Sequence, residues 1–370
     1  MEERLQDIYE KIDRKLQAEC RRLGGRIPYI AEDGKYKVDM REENLSSWTN
    51  GFWAGMLWQM YKSTENPLYR ETAEQTELVF DEALAKFEDL YHDVGFQFLH
   101  SAVADYRLTG NPRSRVRGLH AANLLAGRFN AAGNFIRAWN KDMTGWMIID
   151  CLMNIPLLYW ASEEQKDPRF AYVADQHAHT ALKQLLRGDG SCNHIAVLDP
   201  VTGEGLEYPA GQGCSVNSSW SRGQAWAIYG FALAALHTGK EEYLNAAKQV
   251  AHYFIANVAL TDYVAKVDFR QPPQPECWDT TASACAACGL LQIEELVPEA
   301  EKQLYHESAV KMLLALEEKY CDWDPERDGI LQYGTVAYNR TGFIHVPIIY
   351  GDYFFVEGIL RLRKDGFLIW

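Results

Sequence analysis

The amino-acid sequence predicts an all-α protein built from six helical hairpins. Apolar residues recur with helical spacing almost throughout the 370 residues, and such spacing is the main sequence signal of a helix. The pattern divides into about twelve helical segments, enough for six hairpins. Every second segment starts from a loop rich in Trp, Asp, His or Tyr. This alternation predicts two classes of helix with different surroundings.

The helices and the loops between them have predictable positions. We expect helices near 3–22, 51–62, 67–88, 95–108, 114–131, 145–162, 168–187, 222–237, 241–258, 280–295, 299–320 and 351–363. The longest stretches without helical spacing are 188–218, 259–278 and 321–350, and such long loops in a compact domain are usually functional. No segment has a linker-like or low-complexity composition. The sequence therefore predicts a single domain over residues 1–370.

The loops before alternate helices share their residue types. They are S-S-W-T-N-G-F-W (46–53), H-D-V-G-F (92–96), M-T-G-W-M-I-I-D (143–150), S-S-W-S-R-G-Q-A-W (218–226), W-D-T-T-A-S-A (278–284) and Y-G-D-Y-F-F (350–355). If the hairpins close into a ring, alternate helices form a parallel inner barrel, and these loops converge at one face. Helix N-termini carry free N–H groups and a positive dipole end, which favour an anion there. An open solenoid of helix pairs is the alternative arrangement with the same pattern.

Composition and charge restrict the class of protein. The net charge of −14 argues against binding nucleic acid or an anionic membrane through bulk electrostatics. A hydrophobic content of 47% excludes global disorder. The first residues have a charged helical pattern without an apolar signal core, and no apolar run is long enough to span a bilayer.

Cysteine usage and motif content argue against bound metals and cofactors. Eight cysteines in a chain of this length do not indicate a disulfide framework. Cys285 and Cys288 form a C-x-x-C within an Ala-rich helical run, and no second pair or histidine set completes a zinc site. We interpret them as buried free thiols, and we expect a cytoplasmic protein. The sequence contains no phosphate loop or dinucleotide fingerprint, so we expect neither cofactor nor metal.

Two aspartates are candidates for acid–base chemistry. Asp93 precedes a predicted helix at Gly95, and we expect it both to cap that helix and, from that position, to place a carboxylate at the mouth of the barrel. Asp150 lies among apolar residues in a predicted helix, and a buried Asp is rare unless it is paired. Burial raises the pKa of a carboxyl, as a general acid requires. Two acids from neighbouring inner helices that face each other across a cavity are a usual arrangement for work on a sugar ring.

A second group of residues is suited to binding an anionic sugar. Arg222, near a helix start among aromatic residues, is suited to a ligand carboxylate, although a surface arginine stacked on tryptophan is the alternative. Aromatic rings offer flat walls to sugars but more often pack in the core. The candidates in this group are Trp48, His92, Trp139, His194, Gln212, Trp220, Arg222 and Trp226.

Taken in order, these motifs resemble those of the unsaturated glucuronyl hydrolases, glycoside hydrolase family 88. The resemblance rests on S-W-T-N-G-F-W, H-D-V-G-F, M-I-I-D-C-L-M-N, a histidine at 194, G-Q-G, S-S-W-S-R-G-Q-A-W, C-W-D-T-T-A-S-A and Y-G-D-Y-F-F-V-E. It extends from about residue 40 to residue 370. It implies an (α/α)6 barrel with its active site at the N-terminal ends of the inner helices.

The resemblance also implies a reaction and a role for each candidate. The substrate is a lyase-generated oligosaccharide whose terminal uronic acid has a C4=C5 double bond, and the family hydrates that vinyl ether. Asp150 would protonate C4 and deprotonate the attacking water, and Asp93 would bind ring hydroxyls and hold the proton balance. His194, Gln212 and Arg222 would lie near the uronate. The sugar subsites would be lined by Trp48, His92, Trp139, Trp220 and Trp226.

Alternative functions remain open from the residues themselves. They are a sister hydrolase acting on unsaturated galacturonyl ends of pectin fragments, a sugar epimerase on the same type of barrel, and a non-catalytic carbohydrate-binding toroid. Relatives that favour sulfated glycosaminoglycan fragments carry a Ser- and Lys-bearing loop before the Gly-Asp-Tyr-Phe motif. Here that segment, T-V-A-Y-N-R-T-G-F (335–343), lacks both residue types, which weakens the prediction of a sulfated substrate.

Overall fold

The computed structural model describes residues 1–370 and is mostly helical, as predicted. Its helices are α1 Glu2–Leu23, α2 Met40–Glu43, α3 Asn50–Thr64, α4 Pro67–Glu77, α5 Phe80–Ala85, α6 Val94–Phe98, α7 Ala104–Thr109, α8 Pro112–Ala126, α9 Pro156–Gln165, α10 Pro168–Gln184, α11 Ser221–Thr238, α12 Glu241–Val258, α13 Thr280–Leu296, α14 Glu299–Tyr320 and α15 Ile349–Leu362. A π-helical turn, Leu99–Val103, joins α6 to α7. Shorter 3-10 turns are Phe87–Asp89, Ile149–Met153 and Ala259–Thr261.

Five short strands lie in the loops between helices. They are β1 Phe129–Asn130, β2 Phe135–Ile136, β3 Trp146–Ile148, β4 Ile195–Leu198 and β5 Gly205–Glu207. Strands β1 and β2 form an antiparallel pair, and β3, β4 and β5 form a small antiparallel sheet in that order. None of the helices is both long and apolar enough to cross a bilayer.

The helices close into a double ring. The inner ring runs from α3 through α6 and α7, the 3-10 turn with α9, α11, α13 and α15, and α15 packs back against α3. Helices α1, α4, α8, α10, α12 and α14 each pack against an inner helix or its adjoining turn from outside. The (α/α)6 barrel is therefore confirmed, and the open solenoid is wrong because the last inner helix contacts the first.

Inner and outer helices differ in their burial. In the inner helix α11, every residue of 221–235 is buried. In the outer helix α12, burial recurs at helical spacing at Tyr243, Ala246, Ala247, Val250, Ala251, Phe254 and Val258, as expected for a helix with one apolar face. Close packing of inner neighbours needs small residues. A Cβ on Gly230 would lie 2.4 Å from Cβ of Leu152.

Residues 366–370 close one end of the barrel. The backbone N–H of Phe367 donates to Gln59 Oε1 at 3.0 Å, and Gln59 Nε2 donates to the Phe367 carbonyl at 2.6 Å. Arg107, near the end of α7, donates to the carbonyls of residues 368 and 369. The ring of Trp370 stacks on Phe354 with centroids 6.0 Å apart. The helix N-termini therefore open at the opposite end.

The predicted helix 145–162 is wrong in its first half. Residues 146–148 form β3, residues 149–153 form a 3-10 turn, and α9 begins only at Pro156. Proline favours the first position of a helix and disfavours helix in the residue before it. The run W-M-I-I is apolar, and periodicity alone does not distinguish a short buried strand from a buried helix. Pairing with β4 decides in favour of the strand.

Two other predicted helices have different bounds. The segment 67–88 is divided into α4, α5 and a 3-10 turn, and 114–131 ends at Ala126 before the β1–β2 hairpin. The remaining predicted helices agree with the structure to within about three residues, which is the usual error of boundaries read from sequence.

Candidate active site

Asp93 and Asp150 lie together at the N-terminal ends of the inner helices. Asp93 directly precedes α6, and Asp150 lies in the 3-10 turn that leads to α9. Each is only 8% exposed. Asn154 joins them, because its Nδ2 donates to Asp93 Oδ1 at 3.0 Å and to the Asp150 carbonyl at 3.2 Å. The convergence expected from the alternating loops is therefore present.

Asp93 does not cap its helix, so the capping role that the sequence predicted for it is wrong. It occupies the N-cap position, but its side chain makes no capping hydrogen bond. Its backbone has φ −74° and ψ 7°, whereas an N-cap residue usually has an extended backbone that directs its side chain to the next N–H groups. The carboxylate turns instead to Asn154.

The environment of Asp93 favours its protonated form. Burial raises the pKa of Asp93 well above its ordinary value, and the negative charge of Asp150 adds to the effect. The hydrogen bond from Asn154 and the charge of Arg128 oppose it. Asp93 therefore retains its proton to higher pH than an isolated aspartate does.

His92 is a neutral imidazole beside this pair. Its Nε2 lies 3.5 Å from Asp93 Oδ2. Burial, followed by the positive charge of Arg128, holds the pKa of His92 well below its ordinary value. Neither ring nitrogen hydrogen-bonds to another group of the protein. Both nitrogens are thus suited to hydroxyls of a ligand.

His194 is placed against Asp150 by the small sheet. Strands β3 and β4 pair Ile148 with Ile195 in antiparallel register, so the residue after β3 faces His194, and the Ile149 N–H donates to the His194 carbonyl at 3.0 Å. His194 Nδ1 accepts from the Gln212 N–H at 3.0 Å. In the neutral ring, the proton must then reside on Nε2, which lies 3.3 Å from Asp150 Oδ2.

Arg222 differs from its prediction, because its guanidinium is already bonded within the protein. It is 1% exposed, and Nη1 donates to Asp279 Oδ2 at 2.6 Å and to the Thr335 carbonyl at 2.7 Å. Nη2 donates to Gln212 Oε1 at 2.8 Å and to the Val336 carbonyl at 2.6 Å. The side chain is therefore neither a surface arginine nor a free clamp for a carboxylate. It supplies positive charge and fixes Gln212 and the 335–336 backbone.

Replacement of Asp279 by alanine is expected to destabilise the protein by about 3–5 kcal/mol, because it leaves the buried Arg222 charge without its partner. The measurement is urea unfolding, read from the midpoint at unchanged slope. Glu82→Ala removes one partner of the exposed Lys86–Glu82 pair and serves as the control, with little change expected. A midpoint for Asp279→Ala close to that of Glu82→Ala would contradict a stabilising role for the pair.

Aromatic rings surround the carboxylates. Trp48 is half-buried and stacks on Tyr350 with centroids 4.8 Å apart, while its edge meets Trp226 at 6.3 Å. Trp220 packs against His194 at 4.5 Å. Trp226 is fully buried, so it forms part of the floor under the pocket and not an open wall.

Trp139 lies in the loop between β2 and β3. It is half-buried and packs near Trp146, with ring centroids 5.9 Å apart. The carbonyl of the preceding residue, Ala138, accepts the His92 N–H at 3.2 Å. Contacts within the structure thus connect all ten residues proposed from the sequence.

Several residues of the site were not proposed from the sequence. Asn154, Tyr350 and Asp279 lie inside the quoted motifs but are not among the candidates. Arg128 lies in no motif. It donates to the Ala138 and Trp139 carbonyls, and burial lowers its pKa to about 10.

Two buried carboxylates close to aromatic side chains, at the N-terminal ends of the inner helices of an (α/α)6 barrel, are suited to acid–base chemistry on carbohydrate. Comparison with known proteins agrees. The family model described as Glycosyl Hydrolase Family 88 matches residues 22–238. The chain belongs to this family and is a glycoside hydrolase. This membership favours the hydrolase reading over the epimerase and the non-catalytic toroid.

Individual relatives match over nearly the whole chain. An unsaturated glucuronyl hydrolase from Bacillus sp. is 38% identical over 93% of this chain and 93% of its own. An unsaturated chondroitin disaccharide hydrolase from Streptococcus pneumoniae is 31% identical over 98% of this chain and 94% of its own. The crystal structure of an unsaturated glucuronyl hydrolase from Bacillus sp., described as responsible for the degradation of glycosaminoglycan, has a TM-score of 0.92 at 35% identity and covers 97% of each chain.

Proposed function

We propose that this enzyme releases the unsaturated uronic acid from the non-reducing end of lyase-generated oligosaccharides by hydrating its C4=C5 vinyl ether. One observation carries the proposal: two buried carboxylates are joined through Asn154, and each lies beside a histidine, His92 at Asp93 and His194 at Asp150. The names of the relatives support the unsaturated glucuronyl substrate class. We infer that glycosaminoglycan-type disaccharides are the preferred substrates.

The proposed reaction uses one acid twice. Asp150 donates its proton to C4, and positive charge develops at C5 and the ring oxygen. A water then adds its oxygen to C5, and its proton returns to Asp150. The hemiketal at C5 opens to a ketone and leaves a hemiacetal at C1, which expels the aglycone as an alcohol. The glycosidic bond between C1 and the aglycone oxygen therefore breaks after the enzyme's own step.

The other residues position the substrate and set the charge around it. Asp93 accepts hydrogen bonds from ring hydroxyls and shares the proton balance of the pair. His194 and Gln212 orient the uronate, and Arg222 favours it by its positive charge while holding Gln212 in place. The rings of Trp48, Trp139 and Trp220 line the sugar subsites, with His92 beside them and Trp226 beneath. No cofactor or metal takes part in this scheme.

We also propose that residues 1–370 act as one catalytic domain, since α15 packs against both α3 and α1. The segment 335–343 is attached to the site, because the Tyr338 N–H donates to the Gln212 carbonyl at 3.0 Å. Its position supports a role in choosing the second sugar, and its lack of serine and lysine favours an unsulfated one. The cytoplasmic location stays a prediction.

The proposed function is tested by the ultraviolet absorbance of the conjugated double bond, which hydration destroys. The panel contains unsulfated and sulfated chondroitin disaccharides, an unsaturated hyaluronan disaccharide and the unsaturated galacturonyl-rhamnose disaccharide. We expect the fastest loss of absorbance with an unsulfated glycosaminoglycan disaccharide. A clear preference for galacturonyl-rhamnose would replace the proposal by the pectin-fragment hydrolase, and a flat signal across the panel would reject both.

A further inference from the structure

Asn154 is a fully buried amide in which both ends are used. Its Oδ1 accepts the backbone N–H of Phe96 at 2.7 Å. Its Nδ2 donates to Asp93 Oδ1 at 3.0 Å and to the Asp150 carbonyl at 3.2 Å. The residue is 0% exposed, so none of these bonds competes with bulk water. One side chain thus connects the start of α6, the carboxylate of Asp93 and the turn that carries Asp150.

The sequence is adapted to bring Asn154 this close. A Cβ on Gly95 would lie 2.4 Å from Asn154 Cα and 2.6 Å from Asn154 Oδ1, distances that no real contact allows. Glycine at 95 therefore lets the 3-10 turn rest directly on the first turn of α6. Asn154 follows Asp150 by one helical turn, and its own N–H donates to the Cys151 carbonyl at 2.9 Å.

The orientation of the Asn154 amide favours the ionised form of the Asp93 carboxyl. Because Oδ1 is committed to a backbone N–H, Nδ2 must face Asp93 as a donor. A donor stabilises a carboxylate more than a carboxylic acid. The titratable and charged groups that face Asp93 are Asp150, His92, Arg128, Tyr91 and Cys151. Of the side chains around Asp93, only that of Asn154 donates a hydrogen bond to its carboxylate within the protein.

We propose that Asn154 is a positioning residue for catalysis, which holds Asp93 as the acceptor of the carboxyl pair and aligns Asp93 with Asp150. The inference rests on the proposed function for its kinetic consequence only. Its structural consequence is that Asp93 loses its proton at lower pH than it would without the amide.

The test compares two variants that remove different arms of Asn154. Asn154→Ala removes both arms. Asn154→Asp keeps the acceptor for the Phe96 N–H but replaces the donor to Asp93 by an oxygen. The matched control is Gln59→Glu. Gln59 is a buried amide about 14 Å along α3 from its start, and its two arms bond the carbonyl and the N–H of Phe367. Thermal melting verifies that each variant is folded.

The first readout is the pH profile of kcat/KM on an unsaturated chondroitin disaccharide. We expect the high-pH limb to move up by about one pH unit in both Asn154 variants, with kcat lowered more than KM is raised. Gln59→Glu should leave the limb in place. A purely structural Asn154 would leave the limb in place in Asn154→Ala even if turnover falls; that outcome overturns the inference.

The second readout needs no turnover. In protein labelled with ¹³C at the aspartate carboxyl carbons, Asp93→Asn assigns the Asp93 resonance, whose titration is then followed in wild type and in Asn154→Ala. An upward shift of the Asp93 midpoint supports the inference even if no disaccharide is consumed, a result that would reject the proposed function alone. An unmoved midpoint overturns the inference whether or not the enzyme is active.

Discussion

Replacing Asp150 by asparagine is expected to lower kcat on an unsaturated disaccharide by about 10²- to 10⁴-fold, the usual contribution of a positioned general acid or base. Asparagine has nearly the same shape, and the bond from Asn154 goes to the Asp150 backbone carbonyl, not to its side chain. The 3-10 turn should therefore remain intact. The aromatic rings and Gln212 should continue to bind the sugar, so the Kd should change by only a few-fold.

The measurement pairs the absorbance assay with calorimetric titration of the disaccharide. Asp142→Asn, an exposed aspartate in the preceding loop, controls for the loss of one negative charge and should retain wild-type turnover. If Asp150→Asn turns over within a few-fold of wild type, Asp150 is not the acid. If binding is lost together with turnover, the role of Asp150 is to hold the substrate.

The barrel and the two aspartates could be predicted because their signals are local. Helical spacing repeats along the whole chain, and Asp150 is conspicuous as an acid within an apolar run. The contact of His194 with Asp150 could not be predicted in the same way. It depends on β3 pairing with β4, and the short apolar run that forms β3 is equally compatible with a helix.

The hydrogen-bond partners of Arg222 also depend on contacts between loops that are distant in the sequence. Its acceptors lie at Gln212, Asp279 and residues 335–336, and sequence spacing does not reveal which loops meet. The tryptophan-rich motif correctly places an arginine beside the pocket. It carries no information on whether the guanidinium faces the ligand or other loops, because both arrangements bury the side chain between the same rings.

Asp93→Asn is expected to lower turnover by about 100-fold or more and to stabilise the folded protein at pH values above the folded-state pKa of Asp93. Burial raises the pKa of Asp93 in the folded state above its unfolded value. Between these two pKa values the folded protein binds more protons than the unfolded chain, so stability falls as pH rises through the folded pKa. Above it, wild type has lost this contribution, whereas asparagine carries no charge to bury. We expect a gain of about 1–3 kcal/mol for the variant there, and no gain below pH 4.

The stability measurement is urea unfolding of wild type and Asp93→Asn at several pH values between 4 and 9. Asp352 provides the contrast, because it is a fully buried aspartate whose two oxygens accept the N–H groups of Ile330 and Leu331. Asp352→Asn should destabilise most above about pH 6, the value to which burial raises the pKa of Asp352, since the amide presents an N–H to one of these donors. If Asp93→Asn were destabilising in the same way, its carboxylate would be a structural acceptor like that of Asp352. A gain confined to high pH would instead mean that the fold tolerates an unfavourable charge at Asp93 for the sake of its chemistry.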